Sequence, residues 1–216
     1  MVPDWSPERA LALLEGILQE YGLPFRAEAL IYPLFRYLSA LAVRAEDLKL
    51  TAFKAPEERL LYQVSEALVL AHLLPAGGYP VADLGTGAGI PGMILKLARP
   101  ELEVVLYEAH PGRVAFLQEM IGELGLSGIR AERYHLGHTW PEERFPVIVA
   151  RGYGSVEKFV RHAAFLLSVP GQAFYLWRNE VEPYGSPQGL ESSGEVSFPL
   201  PRGKGLRRLL LFNRLS

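Results

Sequence analysis

The chain has 216 residues, of which 49% are hydrophobic, a formal net charge of −2 and no cysteine. This length fits one large domain, or a domain with an extension, and the missing cysteines exclude disulfides, thiolate nucleophiles and cysteine-based metal sites. No apolar run reaches the roughly 18 residues that span a bilayer, and the first residues show no basic segment followed by an apolar core, so we expect a cytoplasmic protein.

The first 76 residues predict a helical subdomain. A capping signal at Ser6-Pro7-Glu8 begins the first helix, whose apolar side chains share one face. A second helical pattern covers residues 27–44, where Pro33 is expected to kink or split the helix. A third pattern covers residues 56–75 and ends at a pair of glycines.

Strands and helices alternate in the remaining residues, 77–216, which we expect to form a second domain. The alternation predicts an α/β fold with a mostly parallel sheet and crossover helices. The predicted strands are 81–84, 102–108, 129–134, 147–151 and 173–177, and the predicted helices are 91–98, 111–124 and 155–167. Two further segments, 195–200 and 206–213, predict an antiparallel hairpin.

A glycine-rich loop joins the first of these strands to the helix that follows it. Gly85, Gly87 and Gly89 lack a Cβ atom, so the turn can take positive φ and present backbone N–H groups to a polar ligand. A plain turn would explain two glycines but not three alternating ones. The next apolar run ends in Glu108, an acid in the position that cofactor-binding units require. We therefore predict a nucleotide-type cofactor site.

The form of this loop, D-x-G-x-G-x-G, resembles motif I of S-adenosylmethionine-dependent methyltransferases, whereas dinucleotide folds have G-x-G-x-x-G. The resemblance implies a Rossmann-like, seven-stranded, mostly parallel sheet and S-adenosylmethionine as the cofactor. It places Glu108 on the ribose, because a carboxylate can accept from two adjacent hydroxyls. The loop residues that it assigns to the cofactor are Asp83, Gly85, Thr86, Gly87, Gly89 and Ile90.

Several segments, in the same order, narrow the resemblance to one family. They resemble the bacterial small-subunit ribosomal RNA guanine-N7 methyltransferases, formerly glucose-inhibited division protein B, over about residues 45–215. The segments include Leu48 to Thr51, Asp83 to Gly92, Arg113 to Leu117 and Phe145 to Arg151. The resemblance implies methylation of a guanine N7 in 16S ribosomal RNA, with ribosomal RNA or the small subunit as partner. We expect a monomer that does not bind membranes.

Departures from the family pattern leave alternatives open. His135-Leu136-Gly137 stands where the family has Arg-x-Glu, and Arg178-Asn179 stands where it has Lys-Gly. By position, the resemblance assigns Leu136 and Gly137 to the cofactor and Arg178 to the substrate. The alternatives are a paralogue that binds the cofactor without catalysis, a small-molecule methyltransferase and a non-enzymatic RNA-binding module.

The chemistry of guanine N7 sets what the site must supply. This nitrogen has a lone pair and no proton, so its attack on a methyl group needs alignment and electrostatic support but no base. We assign catalysis to Arg151, at the carboxyl end of the fourth strand, with a surface salt bridge as the alternative. His135 and His138 share a loop without a third ligand, so we expect no metal.

The C-terminal segment after Phe198 is basic and contains no acid. It carries Arg202, Lys204, Arg207, Arg208 and Arg214. We assign Arg207 and Arg208 to RNA binding, the alternative being a solvated basic face.

Aromatic residues in the helical region have two interpretations. Tyr32, Phe35, Tyr37 and Phe53 could stack on bases, but their helical spacing favours a place in the core. Trp140 and Trp177 flank predicted ligand loops and fit packing equally well.

Overall fold

The computed structural model describes residues 5–49, 53, 55–177 and 189–215. Its strands are β1 (Pro80–Leu84), β2 (Glu103–Glu108), β3 (Ile129–Arg133), β4 (Phe145–Arg151), β5 (Leu167–Trp177), β6 (Glu191–Pro199) and β7 (Leu206–Arg214). Its α-helices are α1 (Pro7–Glu20), α2 (Ala27–Arg44), α3 (Pro56–Glu58), α4 (Ser65–Leu73), α5 (Gly92–Ala98), α6 (Pro111–Glu123) and α7 (Val156–Leu166). A π-helical stretch, Arg59–Val64, joins α3 directly to α4.

The seven strands of these ranges form one sheet in the order β3-β2-β1-β4-β5-β7-β6. The first five are parallel, and β7 is antiparallel to both of its neighbours. A hydrophobic cluster covers each face of the sheet, as expected where near-continuous apolar runs form buried parallel strands. The predicted α/β class and the closing hairpin are confirmed. Within the described ranges, no helix has the length and apolar character that crossing a membrane requires.

Helix α1 begins at the predicted capping signal. The Ser6 side chain accepts a hydrogen bond from the Arg9 backbone N–H at 3.3 Å, and Pro7 occupies the first helical position. The helix buries one apolar face against the rest of the molecule, formed by Ala10, Leu14, Ile17 and Leu18. Its amphipathic sequence therefore determines both where it starts and which side packs.

Helix α2 is not split at Pro33 but continues from Ala27 to Arg44, so that expectation is wrong, while the expected kink stays a prediction. Proline removes one backbone hydrogen bond from the helix. Burial of several large apolar side chains on the same helix offsets that loss, at about 1.5–3 kcal/mol for each fully buried side chain. The large buried residues are Leu30, Leu34, Tyr37, Leu38 and Leu41.

The N-terminal helices share a hydrophobic cluster with α5, α6 and the sheet. Tyr37 is fully buried, stacks on Phe116 of α6 and donates a hydrogen bond to the Ala88 carbonyl in the glycine loop. The core interpretation is therefore confirmed for Tyr37, but it is wrong for Tyr32, whose side chain is 68% exposed. The division of the chain at residue 76 stays a prediction.

Candidate cofactor and substrate site

The glycine loop lies at the carboxyl end of β1, in the middle of the sheet. The chain passes from β1 to β2 and β3 on one side and then returns to β4 on the other. Parallel sheets bind ligands at such a reversal of strand order, because the loops on the two sides diverge and leave a crevice. The topology thus places the loop and the end of β4 around one crevice.

Asp83 stabilises the glycine loop through hydrogen bonds. Its Oδ2 accepts hydrogen bonds from the Thr86 hydroxyl at 2.6 Å and the Gly92 backbone N–H at 2.8 Å. Its other oxygen, Oδ1, is buried and has no hydrogen-bond partner among the described residues. Burial raises the pKa of this carboxyl to about 6, against the lowering effect of the two hydrogen bonds. Asp83 therefore supports the loop geometry, and its assignment to the cofactor stays a prediction.

Glu108, at the end of β2, caps the glycine loop. One carboxylate oxygen accepts from the Gly87 N–H at 2.9 Å, and the other accepts from the His110 N–H at 2.8 Å. The N–H groups of Thr86 and Gly89 also bond within the protein, to Tyr107 and Thr86 carbonyls. The N–H groups of Thr86, Gly87 and Gly89 therefore bond within the protein, and the expectation that the loop presents N–H groups to a ligand stays a prediction. The loop also holds a fixed carboxylate.

Two glycines of the loop are needed for different reasons. A Cβ at Gly85 would lie 2.5 Å from the Tyr153 ring, so this position requires glycine for close packing. A Cβ at Gly87 would meet nothing nearer than 3.9 Å, but its φ of +61° disfavours other residues. Only Gly87 therefore has open space that a ligand could occupy.

A cavity lies on each side of the loop, and Gly85 lines both. The histidine cavity, of about 350 Å³, is lined by Tyr107, Glu108, Leu136, Gly137, Tyr153 and His162, among others. The arginine cavity, of about 370 Å³, is lined by Arg59, Thr86, Gly87, Ile90, Arg151 and Arg207, among others. The structure therefore brings most of the predicted cofactor residues together but divides them between two adjoining spaces, while Asp83 and Gly89 line neither.

The histidine cavity has an aromatic wall. The Tyr107 hydroxyl is buried and has no hydrogen-bond partner among the described residues. Tyr153 and His162 form a hydrogen bond of 2.8 Å, and Trp140 packs edge-on against His162. Burial lowers the pKa of His162 to about 4 and raises that of Tyr153, so both side chains are neutral at pH 7. The packing interpretation of Trp140 is thereby favoured.

The arginine cavity contains a buried charged cluster. Arg207 of β7 donates to Glu66 of α4 at 2.5 Å, and Arg151 at the end of β4 lies 3.7 Å from the same carboxylate. Glu66 is fully buried, and Arg207 is 8% exposed. Arg151 therefore forms a salt bridge, but with a buried partner in a cavity wall and not on the open surface.

Sequence reasoning missed the contribution of the helix before the glycine loop. Arg59, Gln63 and Glu66 are buried, and Arg59 donates to Gln63 Oε1 at 3.3 Å. Their spacing of four and then three residues places them on one face of a helix, inside an otherwise apolar run. That polar stripe was the available signal for a buried site.

The C-terminal basic segment does not form one solvated basic face. Successive residues of a strand point to opposite sides, so Arg207 faces the arginine cavity while Arg208 faces away and pairs with Glu195 of β6. Arg202 lies 3.4 Å from Glu57, and Arg214 donates to the carbonyls of Ala164 and Leu167. Arg207 and Arg208 therefore do not share one surface, and their assignment to RNA binding stays a prediction. The predicted substrate residue Arg178 lies outside the described residues.

The rings of the two loop histidines, His135 and His138, contact each other at a tilt of 55°, with centroids 4.5 Å apart. Over the described part of the chain, no group of three His, Cys, Asp or Glu residues has a geometry that could hold a metal ion.

The residues around the loop fit S-adenosylmethionine. Glu108 provides a rigid carboxylate in the wall of the histidine cavity, which Tyr134 and Tyr153 also line. Across Gly85, the arginine cavity offers cationic donors for an acidic group. A nucleoside with an amino-acid tail matches both features, because its ribose hydroxyls can donate to Glu108 and its carboxylate can accept from the arginines.

Comparison with known proteins agrees with this chemistry. The family described as rRNA small subunit methyltransferase G (GidB) matches residues 31–183. The protein of that name from Chromobacterium violaceum is 31% identical over 170 residues, covering 77% of this chain and 80% of the relative. The Acinetobacter baumannii protein of the same name is 33% identical over 203 residues, covering 91% and 94%.

The fold also has solved counterparts. A SAM-dependent methyltransferase from Aquifex aeolicus aligns with a TM-score of 0.56 at 17% identity, covering 77% of this chain and 97% of that one. At this identity, the likeness shows the fold alone, which is that of the Rossmann-like S-adenosylmethionine methyltransferases. With the family match extending across the helix of Glu66, the glycine loop and β4, the chain belongs to the rRNA small subunit methyltransferase G (GidB) family.

Proposed function

We propose that this protein transfers a methyl group from S-adenosylmethionine to N7 of a guanine in 16S ribosomal RNA. The observation that carries the proposal is Glu108, fixed on a glycine loop that borders an aromatic cavity on one side and a cationic cavity on the other. Family membership supports the reaction, and the relatives' names support the RNA substrate.

In this proposal, each side of the loop has its own task. Glu108 accepts from the ribose hydroxyls through the lone pairs that its two backbone donors leave free, and Leu136 and Gly137 border the adenine end. Arg151 and Arg207, both held by Glu66, orient the target nucleotide by donating to the base or its phosphate. When bound, S-adenosylmethionine supplies the electrophilic methyl group.

The absence of an activated base among these residues suits the reaction. His162 lines the histidine cavity, and its pKa of about 4 leaves it neutral but weakly basic at pH 7. The raised pKa of Tyr153 likewise keeps its hydroxyl protonated. Because guanine N7 carries no proton to remove, alignment by Arg151 is sufficient.

Two measurements test the proposal in sequence. Calorimetry with S-adenosylhomocysteine, with NAD as the comparison ligand, should show binding of the first only. Labelled S-adenosylmethionine should then transfer its methyl group to under-methylated small subunits or naked 16S RNA, and the label should map to guanine N7. Binding without transfer to any RNA would instead support a non-catalytic paralogue, and transfer to a small-molecule extract alone would support a small-molecule enzyme.

A further inference from the structure

Arg59 is a buried cation whose donors are largely unused. Arg59 is the first residue of the π-helical stretch, and it is 1% exposed. Nη1 donates to the neutral Gln63 amide, while Nε and Nη2 have no hydrogen-bond partner among the described residues. Leaving a buried charge without a counter-ion costs several kcal/mol, so a protein that retains one usually pairs it with something else.

The position of Arg59 indicates where that counter-ion enters. Arg59 lines the arginine cavity together with Thr86, Gly87 and Ala88 of the glycine loop. Burial and the neighbouring charge of Arg151 both lower the pKa of Arg59. An anion in this cavity would relieve both effects, because it would replace lost solvation and separate two like charges.

The depth of Arg59 restricts the kind of anion. A phosphodiester inside an RNA chain continues on both sides, so it must be reached from an open surface. A terminal carboxylate ends its molecule and can enter a narrow recess, and a planar guanidinium can bind it with two parallel hydrogen bonds. A side chain that is 1% exposed suits the second ligand and not the first.

We propose that Arg59 binds the carboxylate of the amino-acid tail of S-adenosylmethionine. This assignment rests on the proposed function, because it requires that cofactor. It makes the π-helical stretch part of the cofactor site, with Gln63 holding the Arg59 guanidinium through its Nη1 and leaving Nε and Nη2 for the ligand.

The test compares two ligands that differ by one group. Decarboxylated S-adenosylhomocysteine keeps the ammonium and lacks only the carboxylate. In calorimetry, the wild-type protein should bind S-adenosylhomocysteine about ten- to a hundredfold more tightly than the decarboxylated form, the range expected for a hydrogen-bonded charge pair. Arg59→Met should lose most of that preference by weakening the first ligand alone, and Arg59→Lys should retain part of it.

Arg113→Met is the matched control. Arg113 lines the same cavity, but its guanidinium bonds to the carbonyls of Leu48 and Lys49 and lies 3.6 Å from Glu108. Because Arg113 lies beside Glu108, which we assign to the ribose, Arg113→Met should weaken the binding of both ligands equally. The midpoint temperature of thermal unfolding of Arg59→Met should equal or exceed that of the wild type, because the variant removes a buried charge for which the described residues provide no counter-ion.

Each other outcome overturns the proposal. Equal binding of the two ligands by the wild-type protein does so even if Arg59→Met fails to fold. So does an equal loss for both ligands in Arg59→Met, which would indicate a structural role. Unchanged affinities with weakened 16S RNA binding would show that Arg59 binds phosphate instead. If the wild type binds neither ligand, the proposed function fails first.

Discussion

Arg207 in the last strand donates to Glu66 in α4 at 2.5 Å, across 141 residues of sequence. The pair is buried in the wall of the arginine cavity, and Arg151 lies 3.7 Å from the same carboxylate. Three separate parts of the chain, the helix before the loop, the end of β4 and the final hairpin, therefore meet at Glu66. This meeting fixes the orientation of two residues that we assign to the substrate.

Glu66→Ala should lower the free energy of unfolding by about 3–5 kcal/mol, because Arg207 then stays buried without its carboxylate. Urea denaturation measures the change. The double variant Glu66→Ala/Arg207→Met should recover part of the loss, since both charges are gone. Glu195→Ala, which breaks the more exposed pair with Arg208, should cost only about 0–1 kcal/mol. Equal losses in the two single variants would contradict the importance of the buried pair.

Gly87→Val should abolish cofactor binding, because the added side chain occupies the open space that Gly87 borders in the arginine cavity. The matched control is Gly125→Val, which has nearly the same φ, +62° against +61°, and no atom near its Cβ position. Both variants should lose a similar 1–3 kcal/mol of stability to backbone strain. Calorimetry with S-adenosylhomocysteine should show binding for the control alone; retained binding in Gly87→Val would exclude this glycine from the site.

Arg151→Ala should reduce methyl transfer about tenfold to a thousandfold, which corresponds to roughly 1.4–4 kcal/mol of lost transition-state stabilisation. Affinity for S-adenosylhomocysteine should change much less, because we assign this residue to the substrate. Single-turnover transfer to under-methylated small subunits measures the effect. Substantial turnover in the variant, with an active wild type, would show that another residue aligns the nucleotide.

The exposed turn of the final hairpin should contact RNA phosphates through Arg202 and Lys204. The pair between Arg202 and Glu57 is partly exposed, so it contributes little and can be exchanged for a phosphate. Neutralising both residues to Gln should reduce the slope of log affinity against log salt by roughly one unit per lost contact. Arg208 lies on β7, away from this turn, and pairs with Glu195. Arg208→Gln should therefore leave the slope unchanged, and an equal reduction in this variant would indicate non-specific attraction.

His162 should make stability depend on pH in the acidic range. Its pKa falls from 6.5 to about 4 on folding, chiefly through burial, so below pH 6.5 the unfolded chain binds a proton that the folded protein does not. The free energy of unfolding should therefore decrease as the pH falls from 6.5 to 4, in proportion to this difference in proton binding. Asp83 acts in the opposite direction, because its pKa rises to about 6 on folding.

Comparison of variants separates the two contributions. His162→Phe should remove the acid-side loss of stability and leave the Asp83 contribution, so its advantage over wild type should grow as the pH falls. The exposed His72 provides the control, and His72→Gln should follow the wild-type curve. Parallel curves for wild type and His162→Phe would contradict the assigned cause.

The local features of this protein follow from its sequence alone. The alternating apolar runs predict the parallel strands, the capping signal at Ser6 predicts the start of α1, and the glycine spacing with Glu108 predicts the cofactor loop. These features depend on residues close together in the chain, whose backbone preferences and periodicity act over a few positions.

Only the tertiary structure decided the charges around that loop. The C-terminal segment contains no acid, yet Glu57, Glu66 and Glu195 come to three of its arginines from elsewhere in the chain. Helix α2 likewise continues through Pro33, because packing outweighs one lost hydrogen bond. Ion pairs and burial depend on which distant elements meet in space. The sequence of one segment therefore does not show which residues of other segments its side chains contact.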